Sequence, residues 1–342
     1  MLPKKTIVAS NSEIQALMKS SFIPSVNMLA FYNSLFNNIV INPDLMVMPI
    51  VDRQFYLAHS IFDSMTCTKC KIPLLERILI RIQRSCQLAA IPLPMSLDEI
   101  KSKISDVASF CVSEFHLQNA NFFIRIWISS GLSHFSLLPD QNTKPILYIV
   151  AYNTPNDFDL SKVYKEASIP SITRKEGALV HSKTSNYLMN TLIAVEANKR
   201  GALNGVMLDK KGYITECTIA NVGFVWKNTR EFIIPRWETV LKGNTLMECI
   251  AHIEKKLIPQ GIISKIEQKD LKPEEVYGNI DEMLVFGGGK VIAIGEFDGK
   301  FIRSDLGLVC KSLQNYLSEE YNKTAFEINP NLYKASVPRP KL

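Results

Sequence analysis

Across its 342 residues the sequence has no uninterrupted apolar run near the roughly 18 residues a membrane-crossing helix needs, which excludes an α-helical membrane protein. The N-terminus, MLPKKTIVASNSEIQ, carries two lysines but no apolar signal-peptide core. Cysteine is sparse and irregularly spaced. Seven residues (Cys67, Cys70, Cys86, Cys111, Cys217, Cys249 and Cys310) make no even-numbered secreted framework, and reduced thiols are expected. Lys and Arg number 39 against 33 Asp and Glu, and the cations are scattered with no basic run, so a nucleic-acid footprint is excluded. Of five histidines none stands four residues from another, and no GxSxG elbow occurs, so metalloprotease and serine-hydrolase readings fail. No internal repeat or low-complexity tract is present. A soluble, cytoplasmic protein with no membrane partner is expected; the final Pro340-Lys341-Leu342 shares only its Lys-Leu with a peroxisomal address.

With 46% hydrophobic and 21% charged residues the chain is of ordinary globular composition, and at about 100 to 200 residues per domain its length predicts two domains. Ser10 with Glu13 has capping-box spacing and predicts a short helix to about residues 18–20. Strands and turns follow, with a hairpin turn placed at Asn37-Asn38. Leu75, Leu79, Ile82 and Cys86 fall at helical spacing before the stop at Pro92 and Pro94. Ser96 and Glu99 form a second capping box opening a helix to about Cys111, and NFFIRIWISSG and KPILYIVAY read as strands. The polar stretch 153–162 is the predicted linker between a domain of residues 1–152 and one of 163–325, with 326–342 a tail.

In the second half, Leu188, Leu192, Val195 and Lys199 share one predicted helical face, closed by Gly201. Turns at Lys210-Lys211-Gly212 and Asn228-Thr229-Arg230 separate short β runs and predict a twisted antiparallel sheet. Thr245 with Glu248 reads as a third capping box, on a helix to about Leu257. Cys67-Thr-Lys-Cys70 is a lone CxxC without the partners of a zinc site, and Gly287-Gly288-Gly289-Lys290 lacks the outer residues of a P-loop but makes a tight turn. The constellation that carries chemistry is Lys183 in SKTSNYL before a helix, Glu216 ending a hairpin strand in YITECTIAN, and Thr245 after Gly243 at a helix start suited to a phosphate.

This order and spacing resembles the fold-type IV pyridoxal-phosphate enzymes, which include branched-chain aminotransferases, D-amino-acid aminotransferases and aminodeoxychorismate lyase. The resemblance runs from about Phe31 to Leu317 through AFYNSLFNNIVINPDLMVMPIVDR, HSIFDS, RIQRSCQLAAIPLP, SKTSNYL, GALNGVMLDKKGYITE and IDEMLVFGGG, and is nearest the plant-type branch. It implies an α+β protein: a small N-terminal domain and a larger, barrel-like antiparallel β domain ringed by helices, with the cofactor between them. It implies transamination between an amino acid, branched-chain or D-, and a 2-oxo acid, usually by a homodimer.

By that resemblance Lys183 forms the Schiff base with pyridoxal 5'-phosphate and then moves a proton as general acid and base. Glu216 faces the pyridine nitrogen, Asn244, Thr245 and Arg81 hold the phosphate, Tyr187 lies beside the cofactor and Phe62 lines the substrate pocket. The chain departs from the pattern at four places. Ile78 replaces the histidine three residues before Arg81, glycines 287–289 replace a phosphate-binding Ser or Thr, and Cys217 replaces the glycine after the acid, as in the lyase branch. Phe135 and Leu137 stand where bacterial D-amino-acid enzymes place an Arg and a His for the substrate carboxylate. The rival readings are the lyase, releasing pyruvate and p-aminobenzoate, and an inactive homologue.

Overall fold

A computed structural model describes residues 27–153, 158–172 and 177–333. The expected Ser10–Glu13 helix, part of the linker and the last residues lie outside them. The first sheet takes its shape from alternation. In the strand Ser60–Thr68 every second side chain is buried, as is the case along Asn121–Ser129, so one face meets two helices while the other is half open. With β1 (Asn27–Asn33), β2 (Asn38–Val40), β3 (Ser60–Thr68), β4 (Lys71–Ile72), β5 (Asn121–Ser129) and β6 (Ile146–Asn153), the order is β4-β3-β5-β6-β1-β2, antiparallel throughout. The hairpin after β1 pairs Asn33 with Asn38 and turns through residues 34–37, so Asn37, at φ 52°, takes the left-handed position while Asn38 already begins a strand.

A short helix, α1 (Arg53–Leu57), capped by the Asp52 side chain, precedes β3. Helices α2 (Leu75–Leu88) and α3 (Leu97–Glu114) cover the buried face of the sheet, and α3 opens on the predicted Ser96–Glu99 capping box. The α2 residues Leu75, Leu79, Ile82 and Cys86 all enter this core with Ile100, Ile104 and Val107 of α3, each fully buried aliphatic chain stabilising by about 1.5–3 kcal/mol.

The second unit begins with β7 (Val163–Glu166) and β8 (Ser168–Ile169), then α4 (Leu188–Lys199), β9 (Val206–Leu208) and β10 (Ile214–Cys217). β11 (Asn221–Trp226), β12 (Phe232–Ile234), α5 (Asn244–His252), β13 (Ile266–Gln268), α6 (Pro273–Val276), β14 (Ile280–Gly287), β15 (Lys290–Phe297), β16 (Lys300–Phe301) and α7 (Leu308–Thr324) follow. The sheets run β10-β9-β8 and β13-β12-β11-β14-β15-β16, and they curl around one core in which Val206, Leu208 and Ile214 meet Phe224, Met283 and Ile294. The outer face, with Phe232, Leu284 and Phe286, packs on α5 and α7. The sheet is antiparallel at its centre, as expected, with parallel pairs β8–β9, β12–β13 and β7–β15 at its margins.

Two expectations change. Residues 326–327 form β17 against β4, and Ile328 enters the first core, so the start of the expected tail is a strand of the small unit. In α4 the buried residues are Asn190, Ile193 and Ala197, and the predicted face is turned outward, Leu188, Leu192 and Val195 being 65%, 43% and 50% exposed.

Candidate active site

Lys183 belongs by sequence to the second half, yet its segment is laid along β3 of the first. Phe62 N donates to Lys183 O at 2.8 Å, Thr184 bridges Ile61, Ser185 N donates to Ser60 O at 3.0 Å, and Ser60 Oγ donates to Ser185 Oγ at 2.6 Å. From α2, Ser85 Oγ accepts Lys183 N at 3.2 Å and Ser85 O accepts Ser182 Oγ at 3.2 Å. Small polar residues in SKTSN are therefore what lets the segment lie flat between a strand and a helix.

This anchoring carries the Lys183 amine onto the open face of the first sheet. Nζ donates to Tyr187 OH at 3.2 Å and lies 4.7 Å from the Phe62 ring centre, while Phe62 and Tyr187 meet edge to face at 4.9 Å. Beside them Arg125, on β5, stacks over Phe62 at 5.5 Å and Trp127 at 5.9 Å and donates to Ser64 Oγ at 3.0 Å. Arg125 makes no ion pair among the described residues. Sequence reasoning missed it, although an arginine on the half-buried side of an otherwise apolar strand is itself the signal.

Arg81 on α2 grips Asp63 of β3 through two bonds of 2.7 Å, Nε to Oδ2 and Nη2 to Oδ1. Burial works against the guanidinium charge, but the facing Asp63 and the Tyr187 phenol outweigh it, so the Arg81 pKa rises. Two of its five N–H donors are spent on Asp63.

Glu216, at the end of β10, accepts Leu241 N at 3.1 Å and Asn221 Nδ2 at 3.4 Å, both at Oε2. Asn221 Nδ2 also donates to Leu241 O at 2.8 Å, and its Oδ1 fills the space where a β-carbon on Gly243 would stand, 2.0 Å away. Glu216 is thus tied through Asn221 to the residue that caps α5. The Lys183 and Glu216 regions are joined by Asn190 of α4, whose Nδ2 donates to Thr218 O at 2.6 Å.

The start of α5 differs from the sequence expectation. Its N-cap is Gly243, without a side-chain bond, so Thr245 does not cap and the Thr245–Glu248 box is absent. Thr245 Oγ1 instead accepts Gly289 N at 3.0 Å, which docks the helix start on the β14–β15 turn. That turn has Gly288 and Gly289 at φ 58° and 76° between the paired Gly287 and Lys290, the two-residue geometry glycine permits. Asn244 Nδ2 is buried without a hydrogen-bond partner. An uncapped helix start and an unpartnered buried amide donor together fit a phosphate group.

Cys217 lies in the core behind β10, 1% exposed, and burial with Glu166 and Glu216 nearby pushes its thiol well up. The feature that leaned toward the lyase therefore sits away from the cleft. Among the described residues, those of the CxxC included, no group of three or more His, Cys, Asp or Glu could bind an ion. Nor is any described helix long and apolar enough to cross a membrane.

The family profile "Amino-transferase class IV" matches residues 60–295. The chain is 31% identical over 294 residues to the D-amino-acid transaminase, chloroplastic, of Arabidopsis thaliana, covering 85% of this chain and 76% of that one. In structure it is similar to a branched-chain aminotransferase from Thermoproteus uzoniensis with norvaline, at TM-score 0.75 and 18% identity, covering 89% of this chain and all of that one. The branched-chain amino acid aminotransferase of T.th. with pyridoxamine 5'-phosphate matches at TM-score 0.75 and 18% identity, covering 89% of this chain and 99% of that one. The profile spans Phe62, Arg81, Lys183, Glu216, Asn244 and Thr245, and the chain belongs to the class IV aminotransferases, a pyridoxal-phosphate-dependent family.

Proposed function

We propose that this enzyme moves an amino group between an amino acid and a 2-oxo acid with Lys183 as its catalytic residue. The observation that carries the reading is the Lys183 amine held by Tyr187 OH over the Phe62 ring, beside the uncapped start of α5 with its unpartnered Asn244 amide as an anion site. Pyridoxal phosphate, when bound, supplies a carbonyl that condenses with amines and a protonated ring that withdraws electrons from the substrate Cα. Arg81, Asn244 and Thr245 hold its phosphate, and the Glu216 carboxylate, fixed by Leu241 N and Asn221, keeps the pyridine nitrogen protonated.

Lys183 Nζ takes the proton from the substrate Cα, and the Tyr187 hydroxyl and Phe62 ring fix the amine's direction. Trp127 and Phe62 offer an apolar wall, and Arg125 between them supplies the cation that a substrate carboxylate needs. Phe135 and Leu137, 61% and 79% exposed, reach outward, and their loop is pinned by the buried Arg53 through Ser136 O at 2.8 Å and Leu137 O at 2.6 Å. Such rigidly displayed apolar side chains support a homodimer, which sedimentation tests.

The deciding experiment is a visible-absorbance titration with pyridoxal phosphate, run beside Lys183→Ala. A new absorbance band in the parent alone supports the reading and opens a panel of D- and L-amino acids. A parent that gains no band refutes it.

A further inference from the structure

Helix α2 carries a polar stripe at one-turn intervals, Arg77, Arg81 and Ser85, on a helix otherwise rich in leucine and isoleucine. Two of the three have been accounted for: Ser85 holds the Lys183 backbone and Arg81 meets Asp63. Arg77 reaches the other unit, its Nη2 3.0 Å from Glu248 Oε2 on α5. Glu248 stands one turn after Asn244, as Arg77 stands one turn before Arg81. The pair therefore joins two helices at positions adjacent to those assigned to the phosphate, one from each side of the cleft.

The pair is braced from behind. Glu248 Oε1 accepts Tyr316 OH of α7 at 2.7 Å, and the Tyr316 ring stacks on His252 of α5 at 4.0 Å and 23°. Glu248 keeps both oxygens engaged and its side chain is only 18% exposed, so its carboxylate has one direction available. Arg77 is 43% exposed, which leaves the pair open to salt. An ordinary surface ion pair contributes little to stability. This one spans two units whose separation decides whether Arg81 and the α5 helix start can hold one phosphate together.

We propose that Arg77 and Glu248 are positioning residues that clamp α2 to α5 and so set the spacing of the cofactor-phosphate site. The proposal rests on the cofactor reading above. It gives the ion pair an effect on cofactor retention larger than its effect on folding, and an effect that depends on the two charges being opposite.

The test measures release of pyridoxal phosphate from purified holoenzyme after dilution, at low and high sodium chloride, for the parent, Arg77→Glu, Glu248→Arg and the double exchange. Each single variant releases the cofactor about tenfold faster, since it replaces attraction by like-charge contact. The double exchange returns the rate to within about threefold of the parent, which a merely structural loss would not do. Arg77→Gln lessens the salt dependence of release while leaving the unfolding midpoint of cofactor-free protein nearly unchanged, because the residue is half-exposed. Single variants that release at the parent rate, or a double exchange no better than the worse single, overturn the clamp and leave the cofactor reading standing. A parent that never takes up the cofactor overturns both.

Discussion

Gly243→Ala is the substitution whose cost can be worked most directly from the structure. At φ −72° and ψ 130° the backbone there suits any residue, so glycine is required for space alone. An alanine β-carbon would stand 2.0 Å from Asn221 Oδ1 and 3.2 Å from its Cγ, and the asparagine must leave. Its departure breaks a bond to Leu241 O, ordinarily about 1 kcal/mol, and one to the Glu216 carboxylate, about 1.5–3 kcal/mol. Reduced entropy of the unfolded chain returns about 0.4–1 kcal/mol. The expected net loss is about 1.5–3.5 kcal/mol, read as the urea unfolding free energy by fluorescence of the three tryptophans. Because the whole cost runs through Asn221, the Asn221→Ala variant should absorb it: in that background Gly243→Ala should no longer destabilise and should return only the chain-entropy gain of about 0.4–1 kcal/mol. A harmless Gly243→Ala, or costs that simply add in the double variant, would refute the account of why glycine stands before α5.

Asp63→Asn leaves the buried Arg81 guanidinium short of its counter-charge, and a loss of about 3 kcal/mol in urea unfolding is expected; a loss below about 1 kcal/mol would show that Arg81 does not depend on Asp63. Burial and the Lys256 ammonium hold His252 below its ordinary 6.5, with Glu320 acting in the opposite direction. A base so lowered binds fewer protons folded than unfolded, so its contribution is present above about pH 6.5 and is lost as the pH falls below that. His252→Phe, which keeps the stack on Tyr316, should therefore flatten the acid-side slope of stability measured by unfolding at stepped pH, and an unchanged slope counts against it. Six cysteines are buried, the Cys67, Cys86 and Cys310 thiols being pushed up to about 12 chiefly by burial, while Cys70 is partly exposed. A thiol-reactive dye should label one site in the native protein and seven after unfolding.

The candidate site could be picked out from the chain because its residues sit at local landmarks. Lys183 precedes a helix, Glu216 ends a hairpin strand and Arg81 lies on a periodic helix, and each landmark reappears in the structure. The residues that hold them were not legible. Ser85 meets Lys183 across 98 positions and Asn221 meets Leu241 across 20, and neither serine nor asparagine leaves a local pattern when its partner is that distant. Thr245 shows the converse. Its spacing to Glu248 satisfies the capping pattern, but capping requires the threonine to stand outside the helix, and the glycine before Asn244 takes that place. The hydroxyl is then free to hold Gly289, and Glu248 to reach Arg77 and Tyr316.

The orientation of α4 shows how the site overrides hydrophobic ranking. Leu188, Leu192 and Val195 form the more apolar stripe, yet the helix buries Asn190, Ile193 and Ala197. Close approach is one reason: a β-carbon on Gly205 would lie 2.8 Å from Ala197 Cβ, so a small residue is needed at 197 on the face that meets that loop. Asn190 is the other, because its bond to Thr218 O joins the Lys183 and Glu216 regions and requires this face to turn inward. Tyr187, three residues earlier, lies on the same side and is thereby brought to the Lys183 amine. Asn190→Leu, although more apolar, should then cost about 1–3 kcal/mol by orphaning Thr218 O, whereas Leu192→Ser should cost under about 0.5 kcal/mol in the isolated chain. If Leu192→Ser proved the more damaging in urea unfolding at low protein concentration, the leucine face and not the asparagine would be what orients the helix.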